Sequence, residues 1–228
     1  MIFRQLFDYK TYTYTYLIAS SIGREAVLID PVLSQLEFYI QLLNELDIKL
    51  VFAIDTHLHA DHITALGGLQ DRVNCQTVLG EQTQAQCVSL HLQEGKAIIL
   101  DDLVLQPIYT PGHTDDSYSL LMGDRVFTGD TLLIRGTGRT DFQNGDSRQQ
   151  FDSLFNKLLT LPEETLVYPA HDYHGMTVSS IGEEKRYNPR LQVKSVQEYI
   201  ALMAALNLPK PKFMDIAVPA NLNCGRET

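Results

Sequence analysis

Apolar and polar residues alternate along "IFRQLFDYKTYTYTYLIAS" at the start of the chain, the period of a half-buried strand, and a strand is predicted near Tyr12–Ala19. A second is predicted over Glu25–Ile29, after which the apolar spacing turns helical from Gln35 to about Leu46. "KLVFAIDTH" is an apolar run ending at Asp55, with His57 just beyond, and "LVLQPIYTPGH" is a strand broken by Pro111-Gly112, with His113 at its tip. "DRVFTGD" ends at Asp130 and "ETLVYPAHD" at Ala170-His171. Helices are expected near Arg148–Leu159 and Val193–Leu206. No repeat, low-complexity tract or linker interrupts this order.

Four strands are thus expected to finish within two residues of a His or Asp. Such a pattern predicts one rim where sheet ends converge and loops deliver side chains to a common point. Gly112, Gly129 and Ala170 adjoin three of those side chains and leave room for tight turns. The densest contribution is "DTHLHADHI", which holds three of the chain's 7 histidines. A buried imidazole or carboxylate needs a partner, and the two together are what divalent transition metals bind. His57, His59, Asp61, His62, His113, Asp130 and His171 therefore predict a metal centre. His91 and His174, taken singly, are ordinary structural histidines.

Bulk properties narrow the class. At 228 residues and 25.7 kDa, residues 1–228 are expected to form one domain with a core large enough to need no disulfide framework. The 3 cysteines (Cys75, Cys87 and Cys224) show no framework spacing, which predicts a reducing compartment and a free Cys224 thiol. A net charge of −10 disfavours a nucleic-acid partner. Neither a signal peptide's apolar run nor a stretch near the roughly 20 residues that span a bilayer is present, so a soluble, cytoplasmic protein with no membrane partner is expected. A homodimer is allowed but not required by anything in the sequence.

The His-x-His-x-Asp-His motif, followed by "PGHT", "FTGD" and "PAHD", resembles the metallo-β-lactamase superfamily. That resemblance implies an α/β fold, the αββα four-layer sandwich, with metal at the sheet edges. Three further segments, "LLIRGTGRTDFQNGD", "YPAHDYHGMTVSSIGEEKRYNPRL" and "NLPKPKFMDIAVPANLNCG", are similar to persulfide dioxygenases of the ethylmalonic-encephalopathy-protein type. The likeness runs from about Phe3 to Gly225, with no fused rhodanese domain. It implies oxidation of glutathione persulfide by O₂ to sulfite and glutathione, with one Fe(II) per chain held by His57, His113 and Asp130. The chain departs from many relatives in "DDS" after "PGHT" and in Thr137, where some carry cysteine, which weakens any redox role at that position.

Two histidines and a carboxylate on one face of an iron leave positions open for a soft persulfide sulfur and for O₂, whereas zinc has no accessible redox change. His59, Asp61, His62 and His171 are then expected to orient ligands and bound water. Glutathione's carboxylates call for charge-assisted bonds, for which Arg139 is the first candidate and Arg186 and Arg190 weaker ones. Tyr173 is placed to offer its hydroxyl. The alternative is a glyoxalase-II-type glutathione thioesterase with two metals, which shares the histidine cage and differs in the "RGTGRTDFQ" and "EEKRYNPRL" segments.

Overall fold

In the computed structural model, which describes residues 1–226, the strands form two mixed sheets of six. The first runs in chain order through β1 (Ile2–Asp8), β2 (Thr13–Ala19), β3 (Glu25–Ile29), β4 (Lys49–Ile54), β5 (Gln76–Gly80) and β6 (Leu90–Leu92). Its antiparallel start becomes parallel from β3 onward. The second sheet has the order β12-β11-β10-β9-β8-β7, built from β7 (Ile98–Leu100), β8 (Leu103–Tyr109), β9 (Tyr118–Met122), β10 (Arg125–Gly129), β11 (Leu166–Pro169) and β12 (Ser179–Ser180). There β10 and β11 form the parallel pair.

Three apolar layers make the sandwich. Between the sheets lie Tyr16, Ile18, Val27 and Ile29 from one side and Leu105, Leu120, Phe127 and Tyr168 from the other. The alternate residues Leu17, Ala19 and Leu28 face outward against α1 (Leu36–Glu45) and α2 (Leu66–Val73), meeting Tyr39, Leu43, Leu66 and Leu69. Strand side chains alternate faces, so β2, buried along its whole length, feeds two cores at once. Behind the second sheet Val126 and Val167 pack against α3 (Ser147–Phe155), α4 (Ile181–Tyr187) and α5 (Val196–Ala204). No helix among the described residues is long and apolar enough to cross a membrane.

The last helix, α6 (Met214–Asn221), returns to the first sheet. Beyond it Cys224 is bonded to Cys87, leaving Cys75 as the buried thiol. The expectation of a free Cys224 is corrected here, and with it the argument for a reducing compartment from cysteine spacing. The two residues are 137 positions apart and meet only because the chain folds back.

Candidate metal centre

Both sheets release the loops that carry the candidate ligands at one rim. Asp30 follows β3, His57 lies three residues beyond β4, Asp130 follows β10, and His171 lies two beyond β11. His113 is further out, four residues past β8, because the strand stops at Tyr109. Backbone bonds stitch the loops across the gap: Tyr118 N–H donates to Thr56 O at 2.8 Å, and Tyr14 N–H to Ala170 O at 2.7 Å. Gly129 closes β10 in the left-handed region (φ 51°), and a Cβ there would sit 2.6 Å from Thr56 Oγ1.

Each of three side chains has one ligand atom spent and one turned inward. His57 Nδ1 meets Thr56 Oγ1 at 3.0 Å, His113 Nδ1–H donates to Arg139 O at 2.7 Å, and Asp130 Oδ1 accepts from His171 Nδ1 at 2.7 Å. Ligand atoms of His57, His113 and Asp130 all lie within 4.8 Å of one another. Burial pushes His57 well below the ordinary imidazole range, with His59 and His113 adding to the effect, which favours a neutral nitrogen donor. Burial opposes the charge on Asp130, but His171, with His113 and His57 adding to it, holds the carboxyl well below its usual range. Two imidazole nitrogens and one carboxylate oxygen facing a common point suit a divalent transition metal.

His171 is clamped between carboxylates, Nδ1 on Asp130 and Nε2 on Asp61 Oδ2, each at 2.7 Å. Burial disfavours its charge, yet Asp130 and Asp61 together hold its pKa well above the usual value. Asp61 also takes His62 Nδ1 at 3.0 Å. Ligand atoms of His59, Asp61 and His62 group within 4.8 Å as well, and His59 Nδ1 and His62 Nε2 are buried with no hydrogen-bond partner.

The Metallo-beta-lactamase superfamily model matches residues 9–85 and 88–171. The chain is 48% identical to the mitochondrial persulfide dioxygenase ETHE1 of Mus musculus over 231 residues, all of this chain and 90% of that protein. This chain belongs to the metallo-β-lactamase superfamily, in its persulfide dioxygenase family. The crystal structure of ETHE1 from Myxococcus xanthus superposes on this persulfide dioxygenase-family chain with a TM-score of 0.96 at 56% identity, covering 99% of this chain and 100% of that one. The hydroxyacylglutathione hydrolase of Haemophilus ducreyi is more distant, 30% identical over 82% of this chain and 92% of its own length.

The three candidate arginines of this family member all have partners within the chain. Arg139 meets the centre through its backbone, at His113. Its guanidinium donates to Asp141 (2.6 and 2.8 Å), Pro209 O (2.6 Å) and Leu208 O (3.3 Å), which leaves one of its five N–H donors over. It serves the site through its carbonyl, which holds His113. Arg186 pairs with Glu163, which precedes β11 and so lies at the end of that strand away from His171. Arg190 donates to Thr137 O and, at 3.2 Å, to Thr137 Oγ1. Tyr173 stays exposed, with its ring parallel to His171 at 6.2 Å.

The sequence reading missed Asp30, Thr56 and Asn221. Asp30 accepts from Thr56 N at 2.7 Å and pairs with His59 Nε2 at 3.0 Å. Asn221 Nδ2 donates to His59 O (2.9 Å) and His62 O (2.8 Å), while its Oδ1 accepts from Thr64 N (2.9 Å). Asp30 had a signal, since "LIDP" ends a strand in Asp just as "AIDTH" does. Asn221 had none. Beside Asp61 and His62 a cavity of about 320 Å³ opens, walled by Val32, Leu33, Phe213 and Ile216.

Proposed function

We infer that this chain oxidises glutathione persulfide with O₂ at a single Fe(II) held by His57, His113 and Asp130. Membership of the persulfide dioxygenase family, at 48% identity over the whole chain, carries the reading. The reaction balances as GSS⁻ + O₂ + H₂O → GSH + SO₃²⁻ + H⁺. Fe(II), when bound, supplies the redox change and adjacent open positions that let triplet O₂ meet a closed-shell persulfide. The protein's part is to fix that geometry. His171, a double donor, holds Asp130 through Oδ1 and leaves Oδ2 turned toward His113 Nε2, 3.5 Å away. Arg139 O holds the His113 ring from behind. In this reading Tyr173, exposed with its ring parallel to His171, donates its hydroxyl to the organic part of the substrate. The cavity beside Asp61 is at the small end of the range for small-molecule sites.

Protein purified anaerobically should contain about one iron per chain, consume O₂ on addition of glutathione persulfide and release sulfite. Rapid hydrolysis of a glutathione thioester without O₂ uptake, with two metals per chain, would transfer the assignment to the thioesterase reaction. Asp130→Ala should abolish iron binding. His171→Ala should retain most of the iron while turnover falls, since its ring acts through Asp130.

A further inference from the structure

We propose that Asp30 and Thr56 form a proton-ordering relay that fixes the tautomer of His57 and so presents its Nε2 lone pair to the metal. The inference rests on the reading of His57 as a ligand. Asp30 is buried, stands at φ 52° just after β3, and belongs to none of the three ligand positions. Its Oδ1 accepts the Thr56 N–H at 2.7 Å and faces His59 Nε2 at 3.0 Å, and its Oδ2 accepts from Thr56 Oγ1 at 3.1 Å. An ionised carboxylate only accepts, so the one hydroxyl proton of Thr56 is spent on Asp30. At its other contact, His57 Nδ1 at 3.0 Å, that oxygen is left to accept. The ring proton of neutral His57 must then sit on Nδ1, leaving Nε2 bare. A metal-binding imidazole needs this arrangement, and its outer partner fixes ring orientation as well as tautomer.

The glycine that ends β10 leaves the space in which this hydroxyl sits. Gly129 lies so near that a Cβ would fall 2.6 Å from Oγ1 and 2.9 Å from the Thr56 Cβ. Asp30 acts on the second histidine of the His-x-His motif too. Its contact with His59 places a proton on that ring's Nε2 and turns Nδ1 toward Asp61, 3.9 Å away. One carboxylate thereby orders both rings, and Asp30 and Thr56 are positioning residues.

The test compares Thr56→Val, which removes the hydroxyl at equal volume, with Thr56→Ser, which keeps it, and with Asp30→Asn. Nitrogen-15 NMR of the metal-free proteins reads the His57 tautomer directly, and chelator competition reads Co(II) affinity. Wild type and Thr56→Ser should carry the proton on Nδ1 and agree in affinity within about threefold, whereas Thr56→Val and Asp30→Asn should shift it toward Nε2 and weaken Co(II) binding roughly 10- to 100-fold. The relay is overturned if Thr56→Val keeps the wild-type tautomer, whatever its affinity, or if Thr56→Ser loses as much affinity as Thr56→Val. His57→Ala, run alongside, should abolish tight Co(II) binding. If it does not, the ligand reading fails, while the metal-free tautomer still decides the relay.

Discussion

Replacing Gly138 by Ala adds one methyl group at a tight point behind the candidate metal centre. The new Cβ would stand 2.3 Å from Asp130 O, 2.7 Å from His113 Nδ1 and 2.8 Å from His113 Cγ. Neither neighbour is a flexible chain end. Asp130 O already accepts the Gly138 N–H at 2.6 Å, and the His113 ring is pinned to Arg139 O. Restoring ordinary contact requires the loop, and His113 with it, to move by about 1 Å. Overpacking of this kind costs about 1–3 kcal/mol in stability, and a 1 Å misplacement at a reacting centre costs roughly 100-fold in rate. Persulfide-dependent O₂ uptake should therefore show kcat/KM reduced on the order of 100-fold. Thermal unfolding with and without metal should show a smaller stabilisation by the ion. Gly136→Ala, two residues away in the same "RGTG" segment, is the control. Its Cβ meets nothing nearer than Leu133 Cβ at 3.8 Å, so stability should change by less than about 0.5 kcal/mol. Wild-type kcat/KM and metal-induced stabilisation in Gly138→Ala would refute the steric account.

Asn221→Ala strands two buried carbonyls and an N–H in the His59–Thr64 loop and should destabilise the fold by about 3 kcal/mol or more, read as a denaturant midpoint; a loss below about 1 kcal/mol would contradict the clip. Arg139→Ala should release the Leu208–Pro209 segment to limited proteolysis while leaving the persulfide KM within about threefold, and a tenfold rise would instead show a substrate contact. Burial pushes the Cys75 thiol up to about 11. At pH 8 the native protein should thus show no reactive thiol, the unfolded unreduced chain one, and the reduced chain three; two or more before reduction would disprove the Cys87–Cys224 bond.

Where a signal is local, the sequence carried it. Glu25–Ile29 has the same bounds in sequence and structure, and the histidines and aspartates at strand ends gather at one rim because parallel strands release their loops on one side. Short edge strands such as Leu90–Leu92 and Ser179–Ser180 are set by their neighbours and have too few residues to show a period. Met214–Asn221 carries Pro219 inside the helix, which hid it from a reading of helix signals. What Arg139 touches depends on where a segment some seventy residues later passes, and no spacing rule reaches that far. Its charge was visible, but its commitments were not.

The rim is sewn shut by a residue made after every side chain it serves. Ribosomes add roughly 5–20 residues per second, so about ten to thirty seconds pass between the appearance of His57 and that of Asn221. Throughout that interval the loop carrying His57, His59, Asp61 and His62 lacks the amide that fixes two of its carbonyls. An ion captured then is held by a loose, exchangeable set, because metal affinity grows with the fold that organises the ligands. The loop that carries the first candidate ligand therefore gains its full set of backbone partners only when the C-terminal helix has docked.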